Sequence, residues 1–560
     1  MVRPVSLRFR GGPTNTRNLP GIGAGGDAPR EMRARSLLWL ALAMAGCGKK
    51  PAGAEVPPEP SRAPAPPEPT AILYQLPKKP PAVAALSPKV YIRSAPAPGA
   101  PEIGAIHIGT WVDLKQPKPV GTNGCAGGWV AVEPEGYVCL DRSTTLDIEG
   151  HPLLAAIQKH QGDFSAAAPY RWAESREAPL YRRLPTEEEQ ARSEYDLERH
   201  LRRVDKARKD PEHVPSTLAG VDLRPATGSV PGFLADGAVS PWSQVNTPGD
   251  PRVRAGRVPT RSSIAYTDEF FANGRSWLLT SDLLLVPKDR VVPLEPATFA
   301  GVHLDEHVRR LPLAFIRREP RPKFRFVSDA TAKREPSGVV PAADFTQVED
   351  AEGGHFEETG ATFERLAWVG LTGHVRRSRS VRYLETRDDG IWIREDDATV
   401  VQSEPPKGFE LAPGEKWIDV SIFRGTLVAY EGRQAVFATL ISPGMNGYKR
   451  INGEPGKYTT PTGTFRMEWK HLSTTMSPDP KRMSYYLSEV PYTQFFHMPF
   501  ALHAAYWHDR FGEPKSGGCV NLSVKDAQWL FGWTDPKLPD GWHSVRSGGD
   551  RGEGTWVRVH

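Results

Sequence analysis

Cysteine is the scarcest chemistry in this chain, with four residues in 560. No Cys-x-x-Cys pair occurs, and none of His471, His497, His503 and His508 stands at a helical His-x-x-x-His spacing. Those histidines therefore lack the pattern of a metal site, and none is expected. A basic stripe is also missing: 71 basic and 66 acidic side chains are interspersed, which excludes an electrostatic footprint for nucleic acid. After Cys47 no window is long and apolar enough to cross a bilayer as a helix. What remains is ordinary globular material, 39% hydrophobic and long enough for three or four domains, with 55 prolines and 52 glycines that break it into short strands and turns. A mainly β chain is expected.

The four cysteines separate by their surroundings. Cys125 and Cys139 flank a Gly-rich segment around Trp129 and Tyr137 that reads as a hairpin, and its closure would join them as a disulfide. Cys47 ends the apolar run Leu37 to Ala45, which follows the basic Arg33 and Arg35. This run is too short for a permanent membrane helix and resembles a bacterial lipoprotein signal, with Gly46 before a lipidated Cys47. The resemblance implies that Met32 is the start and that 1–31 lie upstream or are disordered. It further implies that 32–47 are the signal peptide and that the mature chain is lipid-anchored in the periplasm. Gly48 in place of Asp favours the outer membrane. Residues 48–85, rich in Pro and Ala, read as an extended tether.

Cys519 is left over. It follows Ser516, Gly517 and Gly518 in a Gly-rich turn, close after His503. Glycines let backbone N–H groups approach a substrate carbonyl, and a nearby imidazole can take the thiol proton. The alternative is an inert buried thiol, the commoner fate of a lone cysteine. Between the tether and this region, short strands around Val90, Ile103, Trp129 and Tyr137 place a small β-unit at 86–145 that resembles a bacterial SH3-like module. Thr186 to Glu189 opens as a capping box before a charged helix with Leu197, Leu201 and Val204 on one face, within a region (146–255) that is otherwise irregular. In 256–410, Trp277, Trp368 and Trp392 echo the Trp129 element. They are read either as degenerate repeats of the module or as ordinary core anchors.

Residues 411–560 carry the chemistry. Lys416 to Ile422, Thr426 to Tyr430 and Ala435 to Leu440 alternate as an antiparallel meander, Asp526 to Phe531 suggests a short helix, and Thr460-Pro-Thr-Gly-Thr-Phe465 precedes the His503 to Asn521 segment. This succession resembles the L,D-transpeptidase catalytic domain of the YkuD family. The resemblance implies a β-sandwich-like catalytic fold in which Cys519 attacks the carbonyl of the diamino acid in a peptidoglycan tetrapeptide stem and expels D-Ala. A stem amine then resolves the thioester to a 3→3 cross-link, or the enzyme attaches a protein acceptor to the wall; water would make it a carboxypeptidase. No cofactor is implied.

From the residues themselves, His503 is the base and the Ala504 carbonyl fixes its tautomer. Gly518 and Cys519 N–H groups are oxyanion-hole candidates, and Ser516 and Asn521 shape the turn. Tyr506, Trp507, His508 and Asn521 are placed as substrate-lining candidates, with core packing an equal reading for the two aromatics. Gly517 stands where the family often has His. His508 is the candidate substitute for that cation, and a catalytically impaired wall-binding domain is the alternative that the departure raises.

Overall fold

A computed structural model describes residues 3–4 and 81–560, apart from 306, 308, 330–344, 346–347, 351–352, 404–405, 448–449, 452–453 and 478–484. Cys47, the signal-like run and most of the tether lie outside the described residues. The chain is mainly β.

Two sheets face each other in the C-terminal region. One runs in the order Val302–His303, Gln434–Leu440, Thr426–Glu431, Lys416–Ser421, Trp556–Val559 and Gly463–Arg466. The other begins Val520–Leu522, Phe500–Ala504, Leu487–His497, Trp469–Ser477 and Ser544–Arg546. Alternation along the strands sends Ile418, Val420, Leu427 and Ala429 of the first sheet inward against Val490, Leu502 and Val520 of the second, one shared core. The helix Val524–Trp533 covers this core. Ser523 caps it by accepting from the Asp526 N–H, and buried Asp526 accepts from Gly301 N–H at 2.8 Å and Thr439 Oγ1 at 2.5 Å. That carboxylate pins the incoming strand Val302–His303 to the sandwich.

The second sheet does not stop at the sandwich. Ser544–Arg546 pairs antiparallel with Glu102–Ile106, and the sheet continues through Val90–Arg93, Tyr137–Cys139 and Trp129–Ala131. The N-terminal β-unit is thus hydrogen-bonded into the same sheet as His503. Its first strand is Ala82–Ala85, paired with Trp111–Asp113 and Thr144–Thr145, so regular structure begins before residue 86, inside the expected tether. Cys125 and Cys139 are joined as a disulfide.

The region 146–255 is less irregular than its composition suggests. Arg171–Ser175 and Pro179–Tyr181 belong to a seven-stranded sheet with Arg254–Arg257, Ser263–Ala272, Arg275–Thr280, Leu285–Pro287 and Val291–Leu294. Both arms of the Thr186–Glu189 capping box form. The charged segment is two helices, Glu187–Ser193 and Leu197–Lys209, broken where Asp196 adopts φ 59°. Buried Arg275 bridges Glu194 and Asp289, which ties this helical layer to the sheet. A further eight-stranded sheet spans 313–401, so 256–410 divides between two sheets and the sandwich.

Candidate active site

His503 lies in the wholly buried strand Phe500–Ala504, between antiparallel Leu487–His497 and parallel Val520–Leu522. The parallel register sets His503 opposite Asn521 and Leu502 opposite Val520. Because side chains alternate, Leu502, Ala504 and Val520 point into the sandwich core. Ala501, His503, Cys519 and Asn521 share the other face. There Cys519 packs with Phe495 and Ala501, with Trp469 against them.

The imidazole is oriented by its own strand. His503 Nδ1 lies 3.0 Å from the Ala504 carbonyl oxygen, a contact that only Nδ1–H can make as donor, so Nε2 keeps its lone pair. Burial lowers the His503 pKa to about 4, against the opposing pull of that carbonyl. Burial likewise raises the Cys519 thiol to about 11, with the Ala501 backbone pulling the other way. Both groups are therefore neutral at pH 7, and the resting pair is thiol and imidazole, not an ion pair. The thiol donates toward Pro499 O at 4.0 Å, and among the described residues it makes no hydrogen bond to His503.

The turn before Cys519 is held by one hydroxyl. Ser516 Oγ accepts from Gly518 N–H at 3.0 Å and donates to the Cys519 carbonyl. This corrects one expectation: Gly518 N–H is spent within the turn, which leaves the Cys519 N–H as the oxyanion candidate of the two. Gly518 has φ +127°, and a Cβ there would lie 2.6 Å from Phe500 Cε1, so both conformation and space require glycine.

A brace missed in the sequence supports the turn from behind. Ser442 and Asn521 exchange backbone hydrogen bonds at 2.9 and 3.0 Å, Ser516 N–H reaches Pro443 O, and Met445 N–H reaches Ser516 O. Gly444 N–H in turn bonds Thr460 Oγ1 at 2.9 Å. The sequence signals were Pro443-Gly444 and the Thr460-Pro motif, neither of which names its partner.

The expected lining residues part company. Tyr506 is fully buried: its hydroxyl donates to Ser488 O at 2.7 Å and meets Ser263 Oγ at 2.5 Å, and its ring stacks on Trp172 at 4.1 Å. It packs the core from the turn that follows the strand Phe500–Ala504, with its ring against Trp172. Trp507 is half-buried with its ring 5.8 Å from the imidazole. His508 Nδ1 accepts from Arg510 N–H at 3.2 Å, and its Nε2 lies 2.9 Å from the Asn521 amide. The Asn521 atom at that distance is the amide nitrogen Nδ2. Burial, then Lys515 and His503, lower the His508 pKa to about 4. His508 thus reaches the site through Asn521 as a neutral ring and supplies no cation in place of the residue absent at Gly517. His471 stacks on Trp469 and His497 on Phe500; among the described residues no group of three His, Cys, Asp or Glu is placed to hold a metal.

Residues 415–559 match the family model of the L,D-transpeptidase catalytic domain, YkuD. A search of curated proteins finds no match. Among solved structures, similarity extends to an L,D-transpeptidase from Stackebrandtia nassauensis (23% identity over 27% of this chain and 58% of that one, TM-score 0.19). It extends also to one from Xylanimonas cellulosilytica (20%, 28% and 63%, TM-score 0.18) and to the catalytic domain of the E. faecium enzyme (19%, 26% and 98%, TM-score 0.20). The chain spans less than two thirds of the first two. The C-terminal part of the chain, residues 415–559, is thus matched as an L,D-transpeptidase catalytic domain of the YkuD family.

Proposed function

We propose that the chain is a cysteine-dependent L,D-transpeptidase that acts on peptidoglycan tetrapeptide stems through a thioester on Cys519. The observation that carries this reading is the shared face of two adjacent strands, with a buried thiol and an imidazole whose tautomer leaves Nε2 bare. Cys519 Sγ attacks the acyl carbonyl, its proton passes to His503 Nε2, and the C–N bond to D-Ala breaks as that proton is returned to the leaving amine. An incoming amine then displaces the sulfur, with His503 again taking a proton. Anchoring at lipidated Cys47 in the periplasm, on the outer membrane, belongs to the same proposal, as do an SH3-like role for the N-terminal β-unit and the use of a wall-attached protein as acceptor.

The test is incubation of the purified chain with tetrapeptide muropeptides, followed by mass analysis of the products. Cross-linked dimers support transpeptidation, and tripeptides alone would assign carboxypeptidase action through the same thioester. Unchanged substrate, with no adduct formed by a carbapenem, would leave wall binding as the reading.

A further inference from the structure

Away from Cys519, a cavity of about 410 Å³ opens where the N-terminal β-unit meets the catalytic sheet, within the size range of small-molecule sites. Four rings in its lining form a continuous aromatic wall. His107 stacks on His543 with centroids 4.4 Å apart, Phe164 meets His543 edge-on at 6.3 Å, and Tyr170 meets Phe164 edge-on at 5.9 Å. Ile108, Ile157 and Leu472 add an aliphatic patch. The segment that carries Phe164 is tied to the catalytic sandwich: Tyr492 donates to Ala166 O at 2.8 Å and Gln528 Nε2 to Ser165 O at 3.2 Å.

Two nearly buried polar side chains of this lining keep hydrogen-bonding capacity in hand. His543 Nε2 lies 2.8 Å from the Ser473 carbonyl oxygen, a bond that requires Nε2–H as donor. The Ser473 hydroxyl donates to Glu489 instead, and the Ser473 N–H, at 3.4 Å, is the longer contact to Nε2. Nδ1 is then a bare lone pair, without a partner among the described residues, on a residue 7% exposed. Tyr170 is 8% exposed, and Gly162 lies so close over its ring that a Cβ would sit 2.5 Å from Cζ. The Gly162 N–H is directed at the phenol oxygen, and among the described residues the O–H meets no acceptor. Ser281 and Gln161 bring a hydroxyl and an amide to the more open side of the lining.

Charge narrows the ligand. No Lys or Arg lines the cavity, and both imidazoles are neutral at pH 7, since burial holds His107 at about 4 and His543 well below its ordinary value. An anion would find no counter-charge there. Asp163 is the one carboxylate in the lining; it is exposed, and its Oδ1 already accepts from the Ser165 N–H at 3.0 Å and hydroxyl at 2.5 Å. The buried part of the lining is uncharged and suits a neutral molecule. An aromatic wall matches the apolar C–H face of a saturated ring, and the lone pair and hydroxyls match a rim of polar groups. A methyl carried on an amide would serve the aliphatic patch and the bare acceptor at once.

We propose that this cavity binds a neutral N-acetylated pyranose, with the sugar ring against the aromatic wall, its acetamido N–H donating to His543 Nδ1 and the Tyr170 hydroxyl donating to a sugar oxygen. Such a ligand would touch the N-terminal β-unit, the 157–170 segment and the catalytic sheet together, and so fasten them to one another. The site is separate from Cys519 and His503 and does not rest on the proposed function.

N-acetylglucosamine is the probe, titrated into the full chain by ligand-observed NMR beside glucose and glucosamine. It is expected to bind about fivefold or more tightly than glucose, which lacks the methyl and the amide N–H, and at least about tenfold more tightly than glucosamine, whose ammonium would be buried against neutral groups. Tyr170→Phe should weaken it about three- to tenfold through loss of one hydrogen bond, and Ser281→Phe should abolish it by filling the space. Tyr170→Phe removes only the hydroxyl, so it decides the matter even if Ser281→Phe fails to fold. Absence of binding, equal or tighter binding of glucose or glucosamine, or indifference to Tyr170→Phe would each overturn the proposal. So would loss of binding in Cys519→Ser, which would place the sugar at the thiol.

Discussion

The His503 edge of the long sheet and its junction with the N-terminal β-unit are built from the same backbone ladder, yet the chain specifies them differently. At the His503 edge one continuous stretch, 503–521, supplies the imidazole, the carbonyl that orients it, the hydroxyl that holds the turn and the thiol. At the junction Trp542 Nε1 donates to Glu133 O across a sequence separation of 409, and Gly104 lies so close under Trp542 that a Cβ would sit 2.2 Å from the indole. The first arrangement is local and chemically specific. The second is a fit between surfaces remote in sequence, which any small residue at 104 and any large one at 542 would announce equally poorly.

The sharpest separation of the two regions comes from Cys519, the proposed nucleophile. Cys519→Ala removes one small atom from the pocket formed with Phe495 and Ala501 and should cost about 1 kcal/mol of stability. Acyl transfer and carbapenem adduct formation should fall to background. Intact-mass spectrometry with and without the carbapenem checks this; an adduct that persists in the variant would move the chemistry elsewhere.

A matched pair of glycine substitutions follows. Gly518→Ala forces a side chain to φ +127° against Phe500, and a shift of the turn by about 1 Å should slow acylation about 10²-fold with modest loss of stability. Gly104→Ala pushes on Trp542 and Ser544 O and should cost about 1–3 kcal/mol of unfolding free energy while acylation by the folded fraction is unchanged. Denaturant titration and acylation rates measured on both variants give a crossed result if the regions are independent. The comparison breaks if Gly104→Ala slows acylation as much as Gly518→Ala.

Acid should expose both regions, with different consequences. Burial depresses His503 and His107 to about 4 from an ordinary 6.5, so the unfolded chain binds more protons in that window. Their contribution is present above about pH 6.5 and is lost as pH falls toward and through 4, by up to about 3 kcal/mol per imidazole. Cys519 works in the opposite sense: its raised value leaves its contribution intact below the ordinary thiol range and lost as pH rises through about 11. Unfolding free energy measured from pH 7 to 4 should fall steeply. His107→Gln should flatten that slope and leave acylation alone, whereas His503→Gln should flatten the slope and abolish acylation.

What the sequence conveyed tracks this division. The meander strands appear as Lys416–Ser421, Thr426–Glu431 and Gln434–Leu440 because alternation and turn residues are local properties. The contact of His503 with the Ala504 carbonyl and the Ser516 hydroxyl that holds the turn at Cys519 are local in the same way. Tyr506 was not, because whether an aromatic in a turn faces a cleft or a core depends on what packs against it, here Trp172, far earlier in the chain. The strands Arg171–Ser175 and Pro179–Tyr181 were hidden by the charged helices that follow them. No composition could announce that Val302–His303 joins the catalytic sandwich, since its anchor is Asp526.

The smallest expected effect tests whether the catalytic loop is autonomous. Arg365, on the 313–401 sheet region, donates to Asp509 Oδ2 and to the Asp509 carbonyl, both at 2.8 Å, next to the His508 that meets Asn521. Phe511, on the same loop, is fully buried and stacks on Phe299 at 5.5 Å, so apolar packing already fixes the loop. The Arg365 and Asp509 side chains are 33% and 57% exposed, and exposed ion pairs contribute only about 0–1 kcal/mol. Arg365→Ala should therefore slow acylation about two- to fivefold, with the pH profile of the reaction unmoved. Arg365→Lys should restore little of the loss, because one ammonium cannot reproduce the two-pronged contact to carboxylate and carbonyl. A loss near that of Gly518→Ala, or a shifted pH profile, would mean that the remote sheet sets the geometry of the His503 face, and the contrast between a locally encoded site and a remotely encoded support would no longer hold.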